Sequence, residues 1–519
     1  MESYYFNEEH ELFRQGLRAF LEKEVKPNID DWEKQRQIPK DIWKKFGEMG
    51  YLGLNFPEKY GGTDADFFYS VVFIEEISKC NSGGFMITPT VMQYMSTPYI
   101  LKHGSDLLKE KYLHKAVSGE WICAIAITEP GAGSDAANIK TKAIKEGDHY
   151  IVNGAKTFIT NGVYGDFMIA VVKTDPSAGI NGVSLLVIDR NAEGVSARKL
   201  EKLGWHASDT AELNYDNVKV PVENLIGEEG QGFYYLMGGL QLERLAGATA
   251  ACAACEYALE YSLQYMAERE AFGRTLNKFQ VLRHRIAQLA SEIEATKYFV
   301  YHCCRLHNDG HYAVKECSMA KLLATELSDK TMYQCLQFFG GYGYMEEYKM
   351  ARMFRDSRIG TIGGGTSEIM REIIGKMVID ETQYDKASLT SETKNDPKDH
   401  NTNDEKQIIN NSNANAENKQ TMSIEKTLST LIAMAKNAAP LGSTLKLNFG
   451  DSQIVIDGTS GENKISSEDT EAACTVDIDL DDFNAMLSGD LNPMSAFMGG
   501  KMKVSGDMGV AMKLQGFLS

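Results

Sequence analysis

The 519-residue sequence predicts an α+β protein in which a β-rich domain lies between two helical ones, with a smaller α+β body after them. Three observations predict this. Apolar residues recur at helical spacing near the start of the chain and again after residue 232. Runs rich in Val and Ile, bounded by Gly and Asp, fill the stretch between. Residues 386–421 then lose almost all apolar character before a patterned sequence resumes. A chain of this length exceeds one core, so several domains are expected.

Taken in order, residues 1–120 read as helices, with Leu12, Phe13, Leu17, Phe20, Leu21 and Val25 at helical spacing. Residues 121–231 form the β-domain, and the runs starting at Tyr150, Phe167 and Val183 read as strands between turns. Residues 232–385 return to long helices rich in Ala, Leu, Glu and Arg. Residues 386–421 are mostly Asn, Asp, Lys, Ser and Glu and cannot bury a face, which predicts a disordered linker. Residues 422–519 supply a helix over 424–436, short strands near Leu445, Ile454 and Ala473, and a closing run of helix, turn, helix and strand.

Composition narrows the function. A formal net charge of −18 repels nucleic acid and disfavours peripheral binding to an anionic membrane. Nine scattered cysteines in a large chain point to a reducing compartment rather than a disulfide framework. Cys252 and Cys255 fall in an Ala-rich helical run and read as small buried residues. His307 and His311 share a helical face without a third ligand, so they read as a solvated pair, and no metal is expected. The acidic N-terminus lacks the apolar stretch of a signal peptide, no run approaches a membrane span, and Phe517-Leu518-Ser519 is not a peroxisomal signal; a cytoplasmic protein is expected.

The most informative run is Ala126-Ile-Thr-Glu-Pro-Gly-Ala-Gly-Ser-Asp135. Pro130, Gly131 and Gly133 break regular structure and bare the backbone, and Thr128 and Ser134 add hydroxyls. Such a loop can present N–H groups and hydroxyls to a flat polar ring or a phosphate. The order of its residues closely resembles the flavin-contacting loop of the acyl-CoA dehydrogenase family, and matching motifs recur to about residue 380.

The resemblance implies an acyl-CoA dehydrogenase fold: a helical N-terminal domain, a central β-barrel-like domain and a C-terminal four-helix bundle, with FAD as cofactor. Ile125, Ile127, Thr128, Gly133 and Ser134 would contact the cofactor, with Ser134 also reaching substrate. Phe158, Ile159 and Thr160 would lie on the other face of the flavin ring, although Phe158 by itself reads as strand core and many relatives carry tryptophan there. Arg269 and Gln280 would reach across a subunit interface to a neighbour's cofactor, where a guanidinium suits a pyrophosphate. Gln337, Gly340 and Gly341 would approach its adenosine half; their spacing is not a Rossmann fingerprint. Thr366 and Glu368 would also contact cofactor, and Gly363 to Gly365 would line the substrate carbonyl.

Removing two hydrogens from a saturated acyl thioester needs a desolvated carboxylate for the α-proton and a hydride acceptor for the β-carbon. Many acyl-CoA dehydrogenases place that carboxylate in the late glycine loop, but the matching position here is Gly364. The run Gly239 to Leu245 resembles instead the helix that carries the base in the isovaleryl-CoA and long-chain branches, and the match falls on Glu243. A glutamate beside an arginine on a helix is ordinarily solvated, so this assignment rests on the resemblance and on the blank at Gly364. Glu129 and Glu368 are the weaker alternatives. Tyr234, Gln241, Arg244, Gly364 and Gly365 match substrate-side positions.

Residues 423–519 resemble the sterol-carrier-protein domain, most clearly over Asp481 to Asp507, which implies an apolar tunnel for a hydrophobic lipid ligand. Met486, Met494, Met498, Met502, Met508 and Met512 suit a soft wall. The expectation is an acyl-CoA dehydrogenase, assembled as a homotetramer, that forms trans-2-enoyl-CoA and passes electrons to an electron-transfer flavoprotein. The alternatives are an acyl-CoA oxidase using oxygen and a non-catalytic acyl-CoA or lipid carrier.

Overall fold

The computed structural model describes residues 4–311 and 313–381, and then 424, 426–432, 434–435, 440–450, 452–487, 496, 502–507 and 510. The expected linker lies outside these residues, as do Met494, Met498, Met508 and Met512. The chain forms two compact units, Met1–Ile373 and Ile374–Ser519.

The first unit opens with α1 (Glu8–Phe20), capped reciprocally: the Asn7 side chain accepts from the His10 N–H, and the His10 ring accepts from the Asn7 N–H. Leu17 is buried, but Leu12 is 67% exposed. Five residues turn a helix by about 140°, so the apolar stripe that seats Leu17 leaves Leu12 outside it. Helices α2 (Ile29–Gln35), α3 (Asp41–Glu48), α4 (Phe67–Ser78), α5 (Gly83–Thr90), α6 (Thr97–His103), α7 (Asp106–Leu108) and α8 (His114–Val117) complete this domain. Asp66 caps α4 by accepting from the Phe68 N–H at 2.7 Å.

The β-domain comprises β1 (Cys123–Ala126), β2 (Lys142–Glu146), β3 (His149–Ile159), β4 (Phe167–Lys173), β5 (Val183–Asp189), β6 (Val195–Lys199), β7 (Ala211–Pro221) and β8 (Leu225–Ile226). The sheet order is β6-β7-β3-β2-β4-β5-β8, with β1 parallel to β4. Along β4, Phe167, Ile169 and Val171 join the core shared with the N-terminal helices. Met168, Ala170 and Val172 enter a second core on the opposite face. Burial on both faces explains why these strands read as unbroken apolar runs.

The third part is built on α9 (Gly232–Glu268), α10 (Gln280–Asn308) and α11 (Val314–Phe338), followed by α12 (Lys349–Ser357) and α13 (Ser367–Glu381). Ala248, Cys252, Cys303, Cys304, Cys317, Ala320 and Ala324 pack the three long helices closely, as small buried residues allow. A short hairpin, β9 (Glu270–Ala271) and β10 (Arg274–Thr275), joins α9 to α10 and was not expected. The shared helical face of His307 and His311 is not borne out. Helix α10 ends at Asn308, so His311 is exposed beyond it, while His307 lies edge-on to Phe67 at 4.6 Å.

In the second unit, β11 (Thr444–Asn448), β12 (Gln453–Asp457), β13 (Lys464–Ser466), β14 (Cys474–Ile478) and β15 (Met502–Gly506) form a sheet in the order β13-β12-β11-β14-β15. Strand β13 was not anticipated. Helix α14 (Leu480–Leu487) sets Phe483 and Met486 against Leu445, Leu447, Ile454, Ile456 and Val476. No helix among the described residues is long and apolar enough to cross a membrane.

Candidate functional site

Strand β1 delivers Ile125, half-buried, and then the loop from Ile127. This loop is fastened from below. Lys156 of β3 is fully buried, and its ammonium donates to the Ile127 carbonyl at 2.9 Å and to Glu129 Oε1 at 2.8 Å. Glu129 also accepts from the backbone N–H groups of Lys140 (2.6 Å) and Thr141 (2.9 Å). Burial alone would raise the Glu129 pKa, but Lys156 and Thr141 outweigh it and hold the carboxylate below its ordinary value. Burial in turn brings Lys156 down to about 8. A carboxylate tied this firmly is a strut, not a base. Above it the Thr128 carbonyl accepts from the Thr157 N–H at 2.8 Å, while Gly133 and Ser134 are exposed.

Phe158 is not strand core. The β3–β7 register slips between Lys156 and Ile159, and in that bulge Phe158 has φ 62° and is 68% exposed. Ile159 turns inward instead, and Thr160 is half-buried. Left-handed backbone in an aromatic residue costs about 1–2 kcal/mol and persists only where its surroundings impose it. The turn that follows is fastened by Asp209, whose carboxylate accepts from the N–H groups of Asn161 (2.9 Å), Val163 (3.0 Å) and Tyr164 (2.7 Å). Bare backbone, the hydroxyls of Thr128 and Ser134, and this outward-turned ring fit a flat polar group such as the flavin of FAD.

The carboxyl of Glu243, on α9, faces the glycine loop after α12. Gly364 has φ 65° and Gly365 φ 93°. A Cβ built on Gly364 would stand 3.5 Å from Glu243 Oε1. The carboxylate therefore occupies the space that a side chain at position 364 would enter. Glu243 is half-buried and has no hydrogen bond or ion pair within 4 Å among the described residues. Protein packed around its carboxyl pushes its pKa up, opposed by the more distant charges of Arg244 and Lys321.

The residues that the resemblance assigns to the substrate side make contacts of their own. Arg244 is buried and donates from Nη1 to Ser318 Oγ at 3.3 Å. The Tyr234 hydroxyl donates to Asn181 Oδ1 at 2.7 Å. Gln241 accepts from the Ala313 N–H at 2.9 Å and donates to the His311 carbonyl at 3.3 Å, so its amide clamps the α10–α11 connection. Gly239 lets Tyr99 of α6 pass beneath the helix, where a Cβ would collide with its hydroxyl.

Other motif residues lie elsewhere in the chain. Arg269, Gln337, Gly340 and Gly341 line one open groove of about 600 Å³ with Tyr265 and Phe339. Those two rings stack at 4.2 Å, and Arg269 lies 5.6 Å from the Tyr342 ring centre. Gln280 is exposed at the start of α10 and does not line the groove. Along continuous α9, Arg269 stands about 39 Å from Glu243 at 1.5 Å per residue. Thr366 caps α13 by accepting from the Ile369 N–H at 3.3 Å. Glu368 is exposed, with its carboxylate held down by helix-start N–H and the Thr366 hydroxyl. Both border a cleft of about 320 Å³ with Arg358.

Sequence reasoning missed Asp209, Tyr99 and Lys321, and gave Lys156 no role although it opens the run that carries Phe158; each acts on a segment distant in sequence.

Comparison with known proteins agrees with this architecture. The models of the acyl-CoA dehydrogenase N-terminal, middle and C-terminal domains match residues 7–120, 124–218 and 230–379, and that of the SCP-2 sterol transfer family matches 424–519. The mitochondrial long-chain specific acyl-CoA dehydrogenase of Mus musculus is 40% identical over 382 residues, 73% of this chain and 88% of that protein. The mitochondrial isovaleryl-CoA dehydrogenase of Oryza sativa subsp. japonica is 36% identical over 379 residues, 72% of this chain and 92% of that protein. A crystal structure of an acyl-CoA dehydrogenase from Geobacillus kaustophilus superposes with TM-score 0.71 at 48% identity, covering 73% of this chain and all of that one.

Proposed function

This chain belongs to the acyl-CoA dehydrogenase family of FAD-dependent oxidoreductases, and we propose that it converts a saturated fatty acyl-CoA to the trans-2-enoyl-CoA with Glu243 as the base. The observation that carries this reading is the 3.5 Å approach of Glu243 Oε1 to the side-chain position of Gly364. That carboxyl also lacks the partners that hold down Glu129.

In this reading Glu243 receives the α-proton of the thioester. Desolvation keeps its basicity high, so the proton moves to a carboxylate rather than to water. Gly364 and Gly365, without side chains, leave room for the thioester carbonyl against the base. Arg244, Tyr234 and Gln241 shape the substrate side. Thr128, Ser134 and the segment Phe158 to Thr160 would hold the flavin. Bound FAD supplies the acceptor for the β-hydride. As the resemblance implies, Arg269 and its groove, about 39 Å along α9 from their own chain's base, would serve the cofactor of a neighbouring subunit in a homotetramer.

We further propose that the electrons leave to an electron-transfer flavoprotein in the cytoplasm. The second unit would supply hydrophobic acyl substrate, because two sites on one chain share a high local concentration. The test is anaerobic titration of the purified flavoprotein with straight-chain and branched acyl-CoA. Bleaching with stoichiometric enoyl-CoA is expected, and an unbleached flavin with every ester would refute the reading.

A further inference from the structure

Lys321 of α11 is 3% exposed, yet no sequence motif points to it. Its ammonium donates to the Gly365 carbonyl at 2.5 Å, the residue after the one whose Cβ position faces Glu243. Gly365 and Gly364 both hold left-handed backbone, which nothing in their own side chains stabilises. A charged donor on a carbonyl is about twice as strong as a neutral one, so this single bond can fix the loop. The same ammonium acts electrostatically on the Glu243 carboxyl, which has no direct partner among the described residues.

We propose that Lys321 is a positioning residue for the reaction: it clamps the Gly365 carbonyl to hold the glycine loop against the Glu243 carboxylate, and its charge sets that carboxylate's basicity. The proposal rests on Glu243 being the base. The charged and titratable groups acting on the pair are Tyr99 from α6, Arg244 from α9, Glu326 on α11 and Glu368 from α13. Arg244 opposes the positive charge of Lys321, and the acids favour it. Burial brings the lysine down to about 8, so its charge falls away within a usable pH range. A neutral lysine still donates to Gly365, so the clamp and the charge separate: above about pH 8 the loop stays while the electrostatic bias on Glu243 goes.

The test compares wild type, Lys321→Met and Lys321→Arg, each loaded with FAD. The pH dependence of anaerobic flavin reduction is read alongside enoyl-CoA affinity by calorimetry. Met removes clamp and charge: the acid limb should move up by about one unit, a tenfold change in proton affinity, and enoyl-CoA binding should weaken at least about tenfold, the scale of one charged hydrogen bond. Arg keeps the charge, so its acid limb should return to the wild-type position even where affinity does not fully recover. If Met lowers only the melting temperature, with limb and affinity unmoved, the proposal is overturned. An Arg variant whose limb shifts as Met's does overturns the charge assignment, and this variant carries the test if Met fails to fold. Absence of flavin reduction in wild type refutes the reading beneath it instead, which keeps the two failures distinct.

Discussion

Glu129 and Glu243 each lie near a buried lysine, and the chain treats them in opposite ways. Glu129 touches its lysine at 2.8 Å and accepts two backbone N–H groups besides. Glu243 touches none; the ammonium of Lys321 donates to the Gly365 carbonyl instead. The first carboxylate is therefore held low and the second pushed up. The difference teaches that placement of the lysine, rather than the kind of acid, separates a strut from a base.

Exchanging each acid for its amide is the strongest way to break that comparison. Glu129→Gln strands the buried Lys156 charge and should destabilise folding by about 3–5 kcal/mol, read as a lowered melting temperature with loss of FAD. Glu243→Gln should leave folding and FAD intact and slow flavin reduction by roughly a thousandfold, within the range for losing a general base. Matching effects from both changes would erase the distinction.

Next in size is Arg269→Ala. If its groove serves a neighbour's cofactor, FAD affinity should fall at least about tenfold, the scale of one charge-assisted contact. Absorbance per chain and light scattering check this together; full FAD loading in a monomer would contradict it.

The two acids also load stability with opposite signs in pH. The Glu129 pKa is depressed on folding, so its contribution is present above the ordinary value of 4.5 and lost as pH falls through the folded one. The Glu243 pKa is raised, so folding loses stability as pH climbs from 4.5 toward the folded value. Denaturant melts of the two Gln variants against pH should therefore diverge from wild type in opposite directions. The smallest effect expected is from Phe158→Trp: the ring already faces outward, so a larger one should tighten FAD by at most about threefold, under 1 kcal/mol.

The sequence carried the helical, β-rich and helical order because apolar period follows burial, and β4 betrayed its two buried faces as an unbroken apolar run. Residue order singled out the loop from Ile127 and Glu243 as candidate site residues. Leu12 lies in α1 as its spacing implied, although spacing alone could not reveal the width of the buried stripe. At Phe158 alternation suggests core, but a slip in the β3–β7 register between Lys156 and Ile159 turns the ring out. Hairpin β9–β10 is too short for any periodicity to register. Lys156 and Lys321 act through contacts that only the folded chain brings together.

If Glu243 is the base, the carboxylate's place in space rather than its place in the chain decides the chemistry, and one measurement tests this directly. Gly364→Glu is introduced into Glu243→Gln, and anaerobic flavin reduction by acyl-CoA is followed by rapid mixing. Gly364 sits at φ 65°, so strain of about 1 kcal/mol is expected from any side chain there. The double variant should still reduce its flavin at least about tenfold faster than Glu243→Gln alone, as a recovered general base predicts. A single variant that reduces flavin at the wild-type rate, or a double variant that binds FAD and acyl-CoA yet gains nothing, would contradict it.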